Sequence, residues 1–296
     1  MHAFDYQAPT TLAEAIEHLS RGDARPLAGG TDLIDQMRMR RHTPQLVVDV
    51  KKIAELNVLR RDDAGLHIGA ATPCCRISAD ADVQRDYSAL MDSCRIIGGV
   101  QIQSRASIGG NLCNSGPAAD STPSMIALGG VCVIAGPQGT REVPVESFCT
   151  GPGKNVLEQG ELLVELRFPP AQARQGSHYR RMIPRNEMDI AVVGVGASVV
   201  LDESGDQFVS ARIALGAVAP TPLLAEEAGQ LLAGKPVNDD SLAEAAKAAQ
   251  AIATPISDMR GTADYRVHIT GVLVRRVLAA AVTRARGQQL DYCPGH

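Results

Sequence analysis

Two paired glycines, about 80 residues apart, are the features of this chain best suited to chemistry. The first pair lies in Leu27-Ala28-Gly29-Gly30-Thr31-Asp32, between a strand-like and a helix-like segment. Glycines there let backbone N–H groups approach an anion closely, and a following helix N-terminus adds a favourable dipole. Thr31 and Asp32 can add side-chain hydrogen bonds. The second pair lies in Ser107-Ile108-Gly109-Gly110-Asn111-Leu112, followed by Ser115-Gly116-Pro117-Ala118-Ala119-Asp120. One Gly-Gly pair alone is more often a tight turn needing positive φ. Two of them could close on opposite sides of one extended pyrophosphate ligand. Neither matches G-x-G-x-x-G or a Walker phosphate loop, so a Rossmann nicotinamide site and phosphoryl transfer are unsupported.

The remaining reactive side chains are scattered. His67, His178 and His268 have no partner at metal-ligand spacing and read as satisfied or exposed histidines. The seven cysteines are odd in number and never spaced C-x-x-C; Cys74 and Cys75 are adjacent, and Cys94, Cys113, Cys132, Cys149 and Cys293 stand apart. That usage predicts a reduced, cytoplasmic chain with neither a disulfide framework nor a metal or iron–sulfur site of its own. Cys113, inside the second glycine segment, reads as a small buried filler, since no base accompanies it.

The elements that must position these residues change character along the chain. In the first half, strand-like runs (46–50, 66–70, 131–135, 162–168) alternate with helical ones at 11–19, 32–41 and 88–97. Thr11 is a natural N-cap, and Gly98-Gly99 a stop. The second glycine segment reads as a loop that stays polar through Pro123. A polar stretch without periodicity, 171–176, marks the expected domain boundary. Beyond it, long strand candidates at 191–201 and 208–218 flank a turn at 203–206, which favours an antiparallel sheet. Helices are expected at 222–233, 241–252 and 267–286. The fold class is therefore α+β, with domains at 1–172 and 177–286 and a tail at 287–296.

With 296 residues, 45% hydrophobic and 21% charged, the chain can build ordinary globular cores. A net charge of −4 argues against a nucleic-acid binder driven by bulk charge. Five Tyr, four Phe and no Trp are too few for a base-stacking platform. No apolar run approaches membrane-spanning length, and Met1 to Tyr6 lacks the basic-then-apolar pattern of a secretory signal.

Taken in order, five strings resemble the FAD-binding medium subunit of the molybdenum hydroxylases, the family of xanthine and carbon monoxide dehydrogenases. They are Phe4 to Pro9 with Pro26 to Leu33 (PLAGGTDL), Ser107 to Asp120 (SIGGNLCNSGPAAD), Gly160 to Pro169 (GELLVELRFP), Tyr179-x-Arg181-x-x-x-Arg185-x-x-x-Asp189-x-Ala191, and Asp258 to Arg266 (DMRGTADYR). The resemblance covers nearly the whole chain. It implies a two-subdomain FAD-binding fold (PCMH-type) followed by a C-terminal domain of antiparallel sheet and helices.

The resemblance also implies residue roles. Arg25, Pro26, Leu27, Ala28, Gly29, Gly30, Thr31, Asp32 and Leu33 would wrap the FAD pyrophosphate. Ser107, Ile108, Gly109, Gly110 and Asn111 would hold its other side, and Asp120 would bond the ribityl or flavin end. Leu163 matches an apolar residue near the flavin ring. Arg181 matches a basic residue that is usually Lys; Arg keeps the charge but presents a planar fork. Ile97 stands where xanthine dehydrogenases carry an aromatic, so ring stacking from there is lost. Positive charge near a flavin favours its reduced form, a task that Arg181 and Arg185 could perform, although a solvated basic stretch reads equally well. Asp189 could instead pair with Arg185.

No cysteine-rich insertion of the 4-hydroxybenzoyl-CoA reductase kind is visible, so FAD is the one cofactor expected on this chain. The implied partners are a large subunit with the molybdenum cofactor and a small subunit with two [2Fe–2S] clusters, in a dimer of heterotrimers. Electrons would pass from those clusters through this subunit to an external acceptor, with no catalytic residue here. The rival readings are a self-contained FAD-dependent oxidoreductase and a flavin-free scaffold.

Overall fold

The computed structural model describes residues 1–185 and 188–290; Cys293 and the end of the tail lie outside them. The chain opens with a small parallel sheet in the order β1-β3-β2: β1 (Asp5–Gln7), β2 (Ala24–Leu27) and β3 (Leu46–Asp49). Helix α1 (Leu12–Ser20) connects β1 to β2, and α2 (Leu33–Arg38) connects β2 to β3. Thr11 caps α1 by accepting the Glu14 amide, and the helix buries Ala15 and Leu19.

A second sheet is antiparallel. It holds β4 (Leu59–Asp62), β5 (Gly65–Gly69), β6 (Val131–Gly136) and β7 (Gly139–Pro144). After a ribbon of β8 (Cys149–Gly151) and β9 (Lys154–Asn155) comes β10 (Leu162–Phe168), which inserts between β5 and β6. Val48, Val50, Leu162 and Val164 share one buried cluster, so the two sheets pack on each other. Six short helices cover this sheet: α3 (Cys74–Ala79), α4 (Ala81–Asp86), α5 (Ser88–Cys94), α6 (Val100–Gln103), α7 (Ile108–Cys113) and α8 (Ser121–Ala127).

The third sheet is antiparallel in chain order: β11 (Gln175–Met182), β12 (Val193–Leu201), β13 (Phe208–Gly216) and β14 (Leu223–Leu224). Helices α9 (Glu226–Gln230), α10 (Asp239–Ala251) and α11 (Ala263–Ala285) complete its core. All nine residues of β12 are buried. That explains its nearly continuous apolar run, broken only by the buried Ser198, since a strand covered on both faces needs no alternation. Helix α8 touches both β12 and β13 and joins this sheet to the first half: a Cβ on Gly196 would lie 2.6 Å from the Pro123 carbonyl oxygen.

Three local expectations need correction. The second glycine segment is no loop but the first turn of α7, capped by the Ser107 hydroxyl on the Gly110 amide at 3.0 Å. The helix expected over 222–233 is strand β14 followed by the single-turn α9. The polar stretch 171–176 already contains the start of β11, where Gly176 lets α11 press close; a Cβ there would sit 2.1 Å from the Ala281 carbonyl oxygen.

Candidate functional site

The two glycine segments face each other across a cleft of about 830 Å³. Its walls are the β2–α2 turn, the first turn of α7, the β8–β9 ribbon, and 157–163 leading into β10. That volume suits a cofactor-sized ligand. Of the residues expected at a site, Arg25, Pro26, Ala28, Gly29, Gly30, Thr31, Asp32, Leu33, Ile97, Ser107, Gly109, Gly110, Asn111 and Leu163 line it. Leu27, Ile108, Asp120 and Arg181 do not.

The four glycines do different work. Gly30 has φ +77°, a conformation that strains any L side chain. Gly29 packs against backbone: its Cβ would sit 2.0 Å from the Arg105 carbonyl oxygen, just ahead of the second segment. Gly109 is pressed on the end of the second sheet, with Ala70 O 2.4 Å from a would-be Cβ. Gly110 is the least crowded of the four, its one close neighbour being Ser107 Oγ at 3.1 Å. Because Ser107 already takes the Gly110 amide, Gly110 contributes room rather than a donor. A cradle that a single Cβ would narrow fits a ligand brought close to backbone.

Leu27 lies beneath the first turn: a Cβ on Gly30 would meet its Cδ1 at 3.0 Å, and its carbonyl accepts the Val50 amide at 3.1 Å. Ile108 is fully buried in the main core. Asp120 and Arg181 form a buried pair behind the cleft, with Arg181 Nη1 donating to Asp120 Oδ2 at 2.5 Å. Burial pushes the Asp120 carboxyl up to about 6, against the pull of Arg181 and the Tyr179 hydroxyl. Arg181 Nη2 also donates to the carbonyl of Ile96, the residue before Ile97 in the cleft wall. Arg185, by contrast, is exposed and bonds Asp189 at 3.1 Å.

Several lining residues carried no signal in the sequence. Gln36 donates to Asn114 at 2.8 Å and ties the two glycine segments across 78 residues. Asn155, on the ribbon, holds the Cys113 carbonyl at 2.9 Å. Lys154 and His42 join the lining from separate elements. Burial and then Arg25 push the His42 imidazole down, while burial and Asp35 push the Asp32 carboxyl up. Cys113 lines the cleft half-buried, and burial together with Cys149 pushes its thiol up to about 12, so it is not a thiolate nucleophile.

The three histidines singled out in the sequence have ordinary surroundings. His67 bonds Glu165 and Asp62, His178 bonds Asp92 at 2.7 Å, and His268 is exposed. Among the described residues no three His, Cys, Asp or Glu side chains gather as a metal ion requires.

A sequence family described as the FAD binding domain in molybdopterin dehydrogenase matches residues 2–171, and the CO dehydrogenase flavoprotein C-terminal domain matches 177–281. The chain belongs to this family. Like other FAD-binding medium subunits of the molybdenum hydroxylases, it is similar along almost its entire length to known members. It is 36% identical to the carbon monoxide dehydrogenase medium chain of Afipia carboxidovorans, over 96% of this chain and 98% of that one. It is 34% identical to the xanthine dehydrogenase FAD-binding subunit of Escherichia coli O157:H7, over 96% and 97%. A crystal structure of a Cu,Mo-CO dehydrogenase in its cyanide-inactivated form superposes with TM-score 0.92 at 33% identity, covering 96% of this chain and 99% of that one. These relatives are dehydrogenase subunits, which makes this chain part of an oxidoreductase. No helix among the described residues is long and apolar enough to cross a membrane.

Proposed function

We propose that this medium subunit binds one FAD non-covalently in the cleft between the two glycine segments and passes electrons from partner [2Fe–2S] clusters to an external acceptor. The observation that carries the reading is that the lightly crowded Gly110 and the left-handed Gly30 line one cleft built from both expected segments. In it, 1–172 are the FAD-binding domain and 177–286 the C-terminal domain. The residues from Arg25 to Leu33 that line the cleft, with Ser107 and Asn111, hold the pyrophosphate. Thr31 adds a hydroxyl donor. Arg25 and Lys154 supply positive charge toward a dianionic diphosphate. Ile97 and Leu163 offer an apolar wall to the ring. Bound FAD supplies two-electron acceptance with single-electron release.

The substrate of the complex is handled elsewhere, on a large subunit carrying the molybdenum cofactor, with a small [2Fe–2S] subunit between them. The assembly is a cytoplasmic dimer of such heterotrimers. Purified apoprotein titrated with FAD should quench flavin fluorescence at one equivalent, and acid should release the flavin. Co-expression with the partners should yield one stable complex. A protein that takes up no FAD defeats the cofactor assignment; substrate turnover by the isolated chain would favour a self-contained oxidoreductase instead.

A further inference from the structure

Asp120 is placed to act on the cleft without lining it. Its Oδ1 accepts the Tyr179 hydroxyl at 2.8 Å, and its Oδ2 accepts Arg181 Nη1. Arg181 carries the anchor forward to the Ile96 carbonyl at 3.1 Å, and so to Ile97 in the wall. On the other flank Ser121, next to Asp120, donates its amide and hydroxyl to Asn111 Oδ1, at 3.3 and 2.7 Å, and Asn111 lines the cleft. The carboxylate thus anchors one wall through Arg181, while its chain neighbour Ser121 ties the other through Asn111. The hydroxyl that holds it has a built space: Tyr179 is 3% exposed, and a Cβ on Gly194 of β12 would come within 2.7 Å of the hydroxyl oxygen.

We propose that Tyr179 is a positioning residue of the flavin site, whose hydroxyl fixes the Asp120 carboxylate and, with Arg181, sets the charge behind the Ile96–Ile97 wall. The inference rests on the FAD reading above. A phenol O–H in this position stabilises the ionised carboxylate and not the protonated one. Burial already works against the Asp120 charge. Without the hydroxyl, Asp120 holds its proton to higher pH, the Arg181 charge stands uncompensated, and a bound flavin is easier to reduce at neutral pH.

Among the described residues, Tyr179 and Arg181 are the β11 side chains bonded to the Asp120 carboxylate, and the 189 segment turns a backbone carbonyl toward Arg181 at 3.3 Å. Helices α7 and α8 present the uncharged Asn111 and Ser121. Asp92 of α5 meets the Tyr179 amide at 3.1 Å, but His178 and Arg284 already pair with it.

The test measures the flavin midpoint potential of the FAD-loaded protein against pH, for the wild type, Tyr179→Phe and Asp120→Asn, together with carboxyl infrared titration of the apoproteins. In Tyr179→Phe the break in the potential–pH curve and the carboxyl titration should both move up by about one to two pH units, the worth of one hydrogen bond to a charged group. Asp120→Asn should remove both features. An unmoved break in Tyr179→Phe, or one that survives Asp120→Asn, overturns the proposal. If Tyr179→Phe does not fold, persistence of the break in Asp120→Asn still refutes the proposal, because the carboxylate that Tyr179 holds would then not be the group that sets it. If the wild type takes up no FAD, the FAD reading fails, while the infrared titration still reports whether Tyr179 governs Asp120.

Discussion

Gly29→Ala and Gly110→Ala separate the two jobs that glycine does at this cleft. A methyl at Gly29 would stand 2.0 Å from the Arg105 carbonyl oxygen and 2.5 Å from its carbon. A relaxed carbon–oxygen contact is about 3.4 Å, so one backbone segment must retreat by about 1.4 Å. Both neighbours are main chain, and no rotamer change relieves them. The cost is at the top of the overpacking range, about 3 kcal/mol, and the retreat pulls the cleft walls apart. A methyl at Gly110 meets only Ser107 Oγ at 3.1 Å. There, about 1 kcal/mol of gained helix propensity offsets a crowded N-cap of similar worth.

Chemical denaturation of the apoproteins and FAD titration by fluorescence quenching should therefore split the pair. Gly29→Ala should lower stability and FAD affinity together. Gly110→Ala should unfold within about 1 kcal/mol of wild type yet bind FAD at least about tenfold more weakly, a loss of about 1.4 kcal/mol. Equal apoprotein stability for Gly29→Ala, or unchanged FAD affinity for Gly110→Ala, would refute the reasoning.

Three further outcomes are expected. Burial pushes the Asp92 carboxyl up, but hydrogen bonds from Arg284 and His178 overcome that and leave it below the ordinary 3.8. Its stabilisation is full above 3.8 and fades as pH falls through the lowered folded value, so Asp92→Asn should lose about 3–5 kcal/mol at pH 7, with the gap to wild type narrowing in acid urea melts. Gly176→Ala should cost about 3 kcal/mol in the same melts, because α11 backbone lies 2.1 Å from the new methyl; wild-type stability would mean that the helix is free to shift. With its thiol held near 12, Cys113 should resist alkylation at pH 8 in the folded protein while the exposed Cys75 reacts, as peptide mass spectrometry would show; equal labelling of both contradicts the burial argument.

Where a segment makes its own structure, its residues declare it. Leu162–Phe168 reads as a strand because a short apolar-rich run ends at Pro169-Pro170, and it is one. The Thr11 cap and the apolar face of α1 are equally local. The two glycine segments and their order carry the family and the place of the cleft, because the need for bare backbone is a property of residue type. Tertiary structure decided what depends on a distant neighbour. Gln175 and Gly176 look like a break until α11 and β12 pair and cover them. The 222–233 run has helical composition, yet Leu223 and Leu224 complete the edge of a sheet by pairing with β13. Asp120 and Arg181 carry the right types for a cofactor contact, but their types do not reveal that packing pairs them with each other and holds Arg181 on the Ile96 carbonyl. The Gln36–Asn114 tie and the Lys154 side of the cleft arise only when elements far apart in the chain converge, and no local pattern encodes that.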